Sequence, residues 1–135
     1  MHWVDIAAAL SAQRHSGRVA VTASVDEMNF LGPVKLGQVV HLKASVNRAF
    51  NTSLEVGVKV WVEDPQTGSH LHVASAYLVF VAIDEHGRRQ KVPAVQPETP
   101  NEVRRFNDAL LRREHRESES ARRKQERRTT GLTKV

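Results

Sequence analysis

A single carboxylate stands out in the first stretch of the 135-residue chain, which reads HWVDIAAALSAQRHSG after Met1. Asp5 lies inside an apolar run near an expected helix start, where a carboxylate suits the helix dipole but is costly to bury without a partner. The residues alone leave two readings open: an acidic first-turn residue that complements the dipole, or a carboxylate placed for proton transfer or nucleophilic attack. Other chemistry is scarce. The chain has no cysteine, which excludes thiolate nucleophiles, disulfides and Cys-ligated zinc, and fits a reducing, cytoplasmic setting. Serine and histidine fall in no triad context, and the sequence contains neither a phosphate-cradling glycine loop nor a nucleophile elbow. Of seven histidines, His70 and His72 share a strand face, but two ligands without a third do not make a metal site. Structural or surface roles are expected for them, and no metal.

The elements that must position Asp5 follow from periodicity. Ala7, Ala8, Ala9 and Ala12 with Leu10, Gln13 and Arg14 favour a helix that Gly17 stops. Trp3, Ile6, Ala7, Leu10 and Arg14 form one helical row, with Val4, Ala8, Ser11 and His15 beside it, so a broad apolar face is expected to be buried. Arg18 to Phe30 alternates as a half-buried strand. Leu31 to Gly37, with Gly32, Pro33 and Gly37, demands a turn or crossover. Val39 to Asn47 resumes the alternation with Val40, Leu42, Ala44 and Val46 inward and His41, Lys43, Ser45 and Asn47 outward. A polar turn is expected over Arg48 to Thr52. Leu54, Val56, Val58, Val60 and Val62 then mark the clearest strand, and Asp64, Pro65 and Gly68 a hairpin loop. Leu71 to Asp84 reads as a strand apolar on both faces, which needs a neighbour on each side. Long antiparallel strands after one small-residue helix imply an α+β fold, a sheet wrapped round that helix. Its exposed edge would be satisfied by a second copy of the chain.

Residues 1–100 form the expected body, and Asn101 to Arg116 a C-terminal helix with the stripe Val103, Phe106, Leu110 and Leu111, capped by Thr99 or Asn101. Residues 117–135 lack an apolar stripe and read as a basic, frayed or disordered tail. The body holds 9 Lys+Arg against 9 Asp+Glu and the remainder 11 against 6, so the net charge of +5 belongs to the tail. Those charges are mixed in sign and lack interleaved aromatics, which argues against nucleic-acid binding. No stretch approaches a membrane span and the start lacks the pattern of a signal peptide.

Taken in order, WVDIAAALSAQRH, VAVTASVDEMNFLGPVKLGQVV, NTSLEVGVKVWVED, ASAYLVFVAIDEHGR and VPAVQPET resemble the hotdog-fold acyl-CoA thioesterases of the cytosolic long-chain acyl-CoA hydrolase group. The likeness runs from Met1 to about Arg113. It implies a hotdog fold, a homodimer formed edge to edge, further assembly into trimers of dimers, and hydrolysis of acyl-CoA to a fatty acid and free CoA without metal or redox cofactor. It also places the family's catalytic acid at Asp5, as general base or nucleophile. The Asn51, Thr52 and Ser53 turn resembles the segment near the CoA nucleotide, with Arg48 a phosphate partner, and Asn29 resembles a polar position near the partner chain's site. Two departures follow. The family's acidic residue after the Asp is Ile6 here, and the helix of the family follows a first strand and a Gly-Gly turn that would precede Met1. The chain therefore reads as beginning inside its key element, with weak activity expected and an acyl-CoA-binding protein without turnover as the alternative.

Overall fold

The computed structural model describes residues 2–133; Met1, on which the expected truncation turns, and the last two tail residues lie outside the described set. The chain divides into two units, Met1–Gln96 and Pro97–Val135. The first consists of helix α1 (His2–Ser16) followed by strands β1 (Val19–Phe30), β2 (Val39–Ala49), β3 (Ser53–Glu63) and β4 (His70–Ile83). The strands form one antiparallel sheet in the order β1-β4-β3-β2.

Helix α1 ends where the sequence expects it to. Gly17 takes a positive φ of 68° and donates its N–H to the carbonyl of Gln13 at 2.8 Å, the left-handed cap for which glycine has no Cβ penalty. The buried row, however, is Val4, Ala8, Ala12 and Ser16, whereas Trp3 is 70% exposed and Leu10 50%. The expected burial of the Trp3, Ile6 and Leu10 row is thus corrected: the helix lies on the sheet through its small side chains, because small residues let the helix backbone approach closely. Ala8 and Ala12 meet the sheet face made by Leu54, Val56, Val58, Val60 and Val62 of β3 and by Val73, Ala76, Leu78 and Phe80 of β4. The period-two alternation of β3 matches this burial at every second residue.

Strands β1 and β2 occupy opposite edges, so the segment from Leu31 to Gln38 crosses the width of the sheet. The turn expected to start at Arg48 starts later, since β2 runs to Ala49 and Arg48 pairs with Glu55. A bulge between Val46 and Arg48 breaks the alternation there. Asn47 shares the face of Glu55 and Gly57, the outward one expected from alternation, but it is buried there rather than exposed, its Nδ2 donating to Oε1 of the fully buried Glu55 at 3.0 Å. Gly57 makes this possible, because a Cβ there would sit 2.9 Å from the Asn47 Nδ2. Among the described residues the Asn47 Oδ1 is buried without a hydrogen-bond partner.

In the second unit, α2 (Pro100–Thr133) continues well beyond the expected end at Arg116. The pairs Arg113–Glu117, Arg122–Glu126 and Arg123–Glu119, four residues apart, carry it through the stretch that lacks an apolar stripe. Its start is a capping box: Glu102 N–H donates to Thr99 Oγ1 at 3.2 Å and Thr99 N–H to Glu102 Oε2 at 3.4 Å. No helix among the described residues is long and apolar enough to cross a membrane.

Candidate functional site

Asp5 sits in the first turn of α1, exposed rather than buried, and its Oδ1 accepts a hydrogen bond from Thr22 Oγ1 at 3.1 Å. Thr22 pairs with Phe80 in the β1/β4 register and so shares the sheet face on which the helix lies. The bond ties the exposed carboxylate to the edge strand. Nothing in the local sequence marks Thr22 for this role, because it depends on where α1 crosses β1.

Val4, the residue before Asp5, lines an apolar groove of about 430 Å³. Trp3 of α1, Met28 and Phe30 of β1, Val40 and Leu42 of β2, and Val60 of β3 form its walls. Such a volume, lined by hydrocarbon and open to solvent, suits a flexible apolar ligand. The carboxylate and the groove lie on neighbouring sides of one helical turn.

The Asn51–Ser53 segment is held by backbone bonds. Ala82 N–H donates to Thr52 O at 3.0 Å, Val92 N–H to Asn51 O at 2.9 Å and Phe50 N–H to Ser53 O at 2.8 Å. Leu54, next in the chain, pairs with Phe80, itself opposite Thr22. At a strand spacing of about 4.8 Å, the turn and the Asp5–Thr22 pair lie about 10 Å apart at one level of the sheet. Arg48 is half-buried, its guanidinium 5.9 Å from the centre of the Phe50 ring. Asn29 is exposed and opposite Ser75, about 20 Å along β1 from Thr22, so the chain does not bring Asn29 to its own Asp5.

His41 and His70 are exposed, as surface roles imply, but they are not isolated. His41 and His70, with Glu63 between them, place their ligand atoms within 4.8 Å of one another. Spacing within one strand points to His70 and His72, whereas strand register brings His70 to His41 across β3.

The family model described as Thioesterase superfamily matches residues 1–69 of the chain. Acyl-coenzyme A thioesterase 11 of Mus musculus is 42% identical over 116 residues; the match covers 86% of this chain but only 19% of that protein, so the chain spans about a fifth of its length. Among solved structures, an apo-hexameric acyl-CoA thioesterase aligns with a TM-score of 0.86 at 34% identity, over 89% of this chain and 77% of that one. An acyl-CoA hydrolase from Staphylococcus aureus, solved with butyryl coenzyme A and coenzyme A, aligns with a TM-score of 0.85 at 37% identity, over 93% and 76%.

Proposed function

This chain belongs to the thioesterase superfamily, and from that premise we propose that it hydrolyses acyl-CoA thioesters, releasing a fatty acid and free CoA. The observation that carries the reading is the Asp5 carboxylate, held by Thr22 on the helical turn whose Trp3 and Val4 line the apolar groove. The groove takes the acyl chain and leaves the thioester carbonyl at the surface beside Asp5. Asp5 then acts as general base, taking a proton from a water whose oxygen adds to the carbonyl carbon; the C–S bond breaks and the thiolate leaves with the proton returned to it. Direct attack by the carboxylate, through an anhydride that water opens, is the variant of the same chemistry. The Asn51, Thr52 and Ser53 turn, with Arg48, lies within reach of the long arm that joins the thioester of CoA to its nucleotide phosphates.

A second copy of the chain completes this site. Trp3, Ile6 and Leu10 form an exposed row on α1 next to Asp5, and Val19 and Val21 are exposed on the edge strand β1. Covering them by an edge-to-edge homodimer removes apolar surface from water and brings Asn29 of one protomer toward its partner's site. Trimers of such dimers would give the hexamer seen in a relative. A cysteine-free chain fits a reducing compartment, and we place the reaction in the cytoplasm.

The test is thiol release from a series of acyl-CoA substrates by the wild-type chain and by Asp5→Asn. Because Asp5 is exposed, the substitution should leave the melting temperature unchanged and lower kcat by about two orders of magnitude, the scale of a lost general base. Hydrolysis undiminished in Asp5→Asn would remove Asp5 from the mechanism. Saturable acyl-CoA binding by the wild type without thiol release would establish the non-hydrolytic alternative.

A further inference from the structure

The face of the sheet opposite the groove carries a cluster that the proposed hydrolysis does not use. His41 is the third residue of β2, Glu63 ends β3 and His70 begins β4, so three strands each supply one side chain. Glu63 pairs directly with His70, and His41 pairs with Trp61, two residues before Glu63 on the same face. His41 Nε2 lies 2.9 Å from Glu63 Oε2 and His70 Nε2 lies 3.8 Å from Glu63 Oε1. Each imidazole thus has one carboxylate oxygen turned toward it, and the ring centres are 6.0 Å apart.

We propose that His41, Glu63 and His70 form a binding site for one first-row divalent transition-metal ion, with zinc as the reference ion. A simple imidazole–carboxylate pair accounts for His41 alone. The His70 contact is too long for a hydrogen bond, yet the ring stands beside the same carboxylate. Zinc bound at about 2.0–2.1 Å in a tetrahedral site sets neighbouring donor atoms about 3.4 Å apart. One ligand atom from each of the three residues lies within 4.8 Å of the other two, so side-chain rotations bring them to that separation. Two imidazoles and one carboxylate suit zinc, cobalt, nickel or copper better than calcium or magnesium. The side chains are 45%, 29% and 57% exposed for His41, Glu63 and His70, which leaves space for water at the remaining coordination positions.

A neighbouring observation delimits the ligand set. His72, the next histidine on this face, is engaged elsewhere, its Nε2 2.9 Å from the carbonyl of Ala74 and its ring 5.6 Å from that of Trp61. The ion would tie β2 to the β3–β4 hairpin. His41 lies between Val40 and Leu42, which line the groove from the other face, so binding braces one groove wall without entering the reaction.

The experiment is calorimetric titration of the full chain, stripped of metal by a chelator, with zinc chloride. Uptake of one ion per chain is expected, weakened about tenfold or more by His41→Ala and by His70→Ala and unchanged by His72→Ala or His115→Ala. Zinc should raise the melting temperature of the wild type by several degrees and leave that of the His41→Ala/His70→Ala double variant unmoved. All four histidine side chains can be replaced without opening the core, and circular dichroism checks that each variant folds. Absence of binding for zinc, cobalt, nickel and copper(II) would overturn the proposal, as would binding that survives both His41→Ala and His70→Ala.

Discussion

The two helices are held in place by different physics. Helix α1 is short, and its Val4, Ala8 and Ala12 are buried among side chains of the sheet. Helix α2 has more than twice the length; its Ala109 is buried, but residues 120–130 are exposed throughout, and that far part carries charged pairs one turn apart. Isolated helices are marginal without packing or many such local pairs. The first helix is therefore specified by its surroundings and tolerates little change in volume; the far part of the second is specified by its own sequence and tolerates much.

The sharpest way to break this contrast is to put the same side chain into both. Ala8→Leu adds volume at a position with no exposure and should destabilise the first unit by about 1–3 kcal/mol. Ala121→Leu, at an exposed site, should change stability by less than about 0.5 kcal/mol. Denaturant unfolding of both variants measures the difference directly. Equal effects would mean that α1 is not seated through its alanines.

That seating explains why the helix was legible in the sequence while the breadth of its buried face was not. Both the Trp3, Ile6 and Leu10 row and the Val4 and Ala8 row were expected to be buried, but close approach to a sheet selects Val4 and Ala8, with Ala12. In β3, by contrast, the buried residues are also the large apolar ones, and alternation alone identifies them. Period two places Asn47 on the face of Glu55 and Gly57, where it lies, but its burial beside the fully buried Glu55 is not visible in alternation. Asp5 stands out as a carboxylate in an apolar run, and its proposed catalytic role came only from the family likeness. Its partner Thr22 and the His41, Glu63 and His70 grouping depend on which strands lie side by side, information spread over dozens of residues rather than held in any one stretch.

A smaller effect is expected at the start of α2. Thr99→Ala removes the oxygen that accepts the Glu102 N–H, at a cost of about 1 kcal/mol to the helix end. Acid should act on the other half of the same box. The Glu102 carboxyl is held below its ordinary value by the backbone N–H of Glu98, then by that of Thr99, with Arg105 assisting and desolvation opposing. A carboxyl lowered by folding contributes stability that is fully present above its unfolded value and is lost as the pH falls through the folded one. Exchange of the Glu98 and Thr99 amide protons should therefore accelerate as the pH drops below the usual glutamate range, after correction for intrinsic rates. In Glu102→Gln the acceleration should disappear; its persistence would assign the acid sensitivity to another group.

The smallest expected effect tests whether the far part of α2 contributes anything to the first unit. Residues 118–130 are exposed apart from Glu119, which is half-buried, and their ion pairs are solvated and local. Surface pairs of this kind are worth a few tenths of a kcal/mol each to the helix that carries them, because water screens the charges and ordering two long side chains costs entropy. Removing residues 118–135 should thus lower total helicity in the far ultraviolet while leaving the melting temperature of the sheet and the rate of thiol release within experimental error. The two readouts separate the two helices: loss of helical signal reports α2, and the melting transition reports the sheet and α1. A large fall in melting temperature would show that the charged helix is held by more than its own sequence, and the contrast between the two helices would collapse.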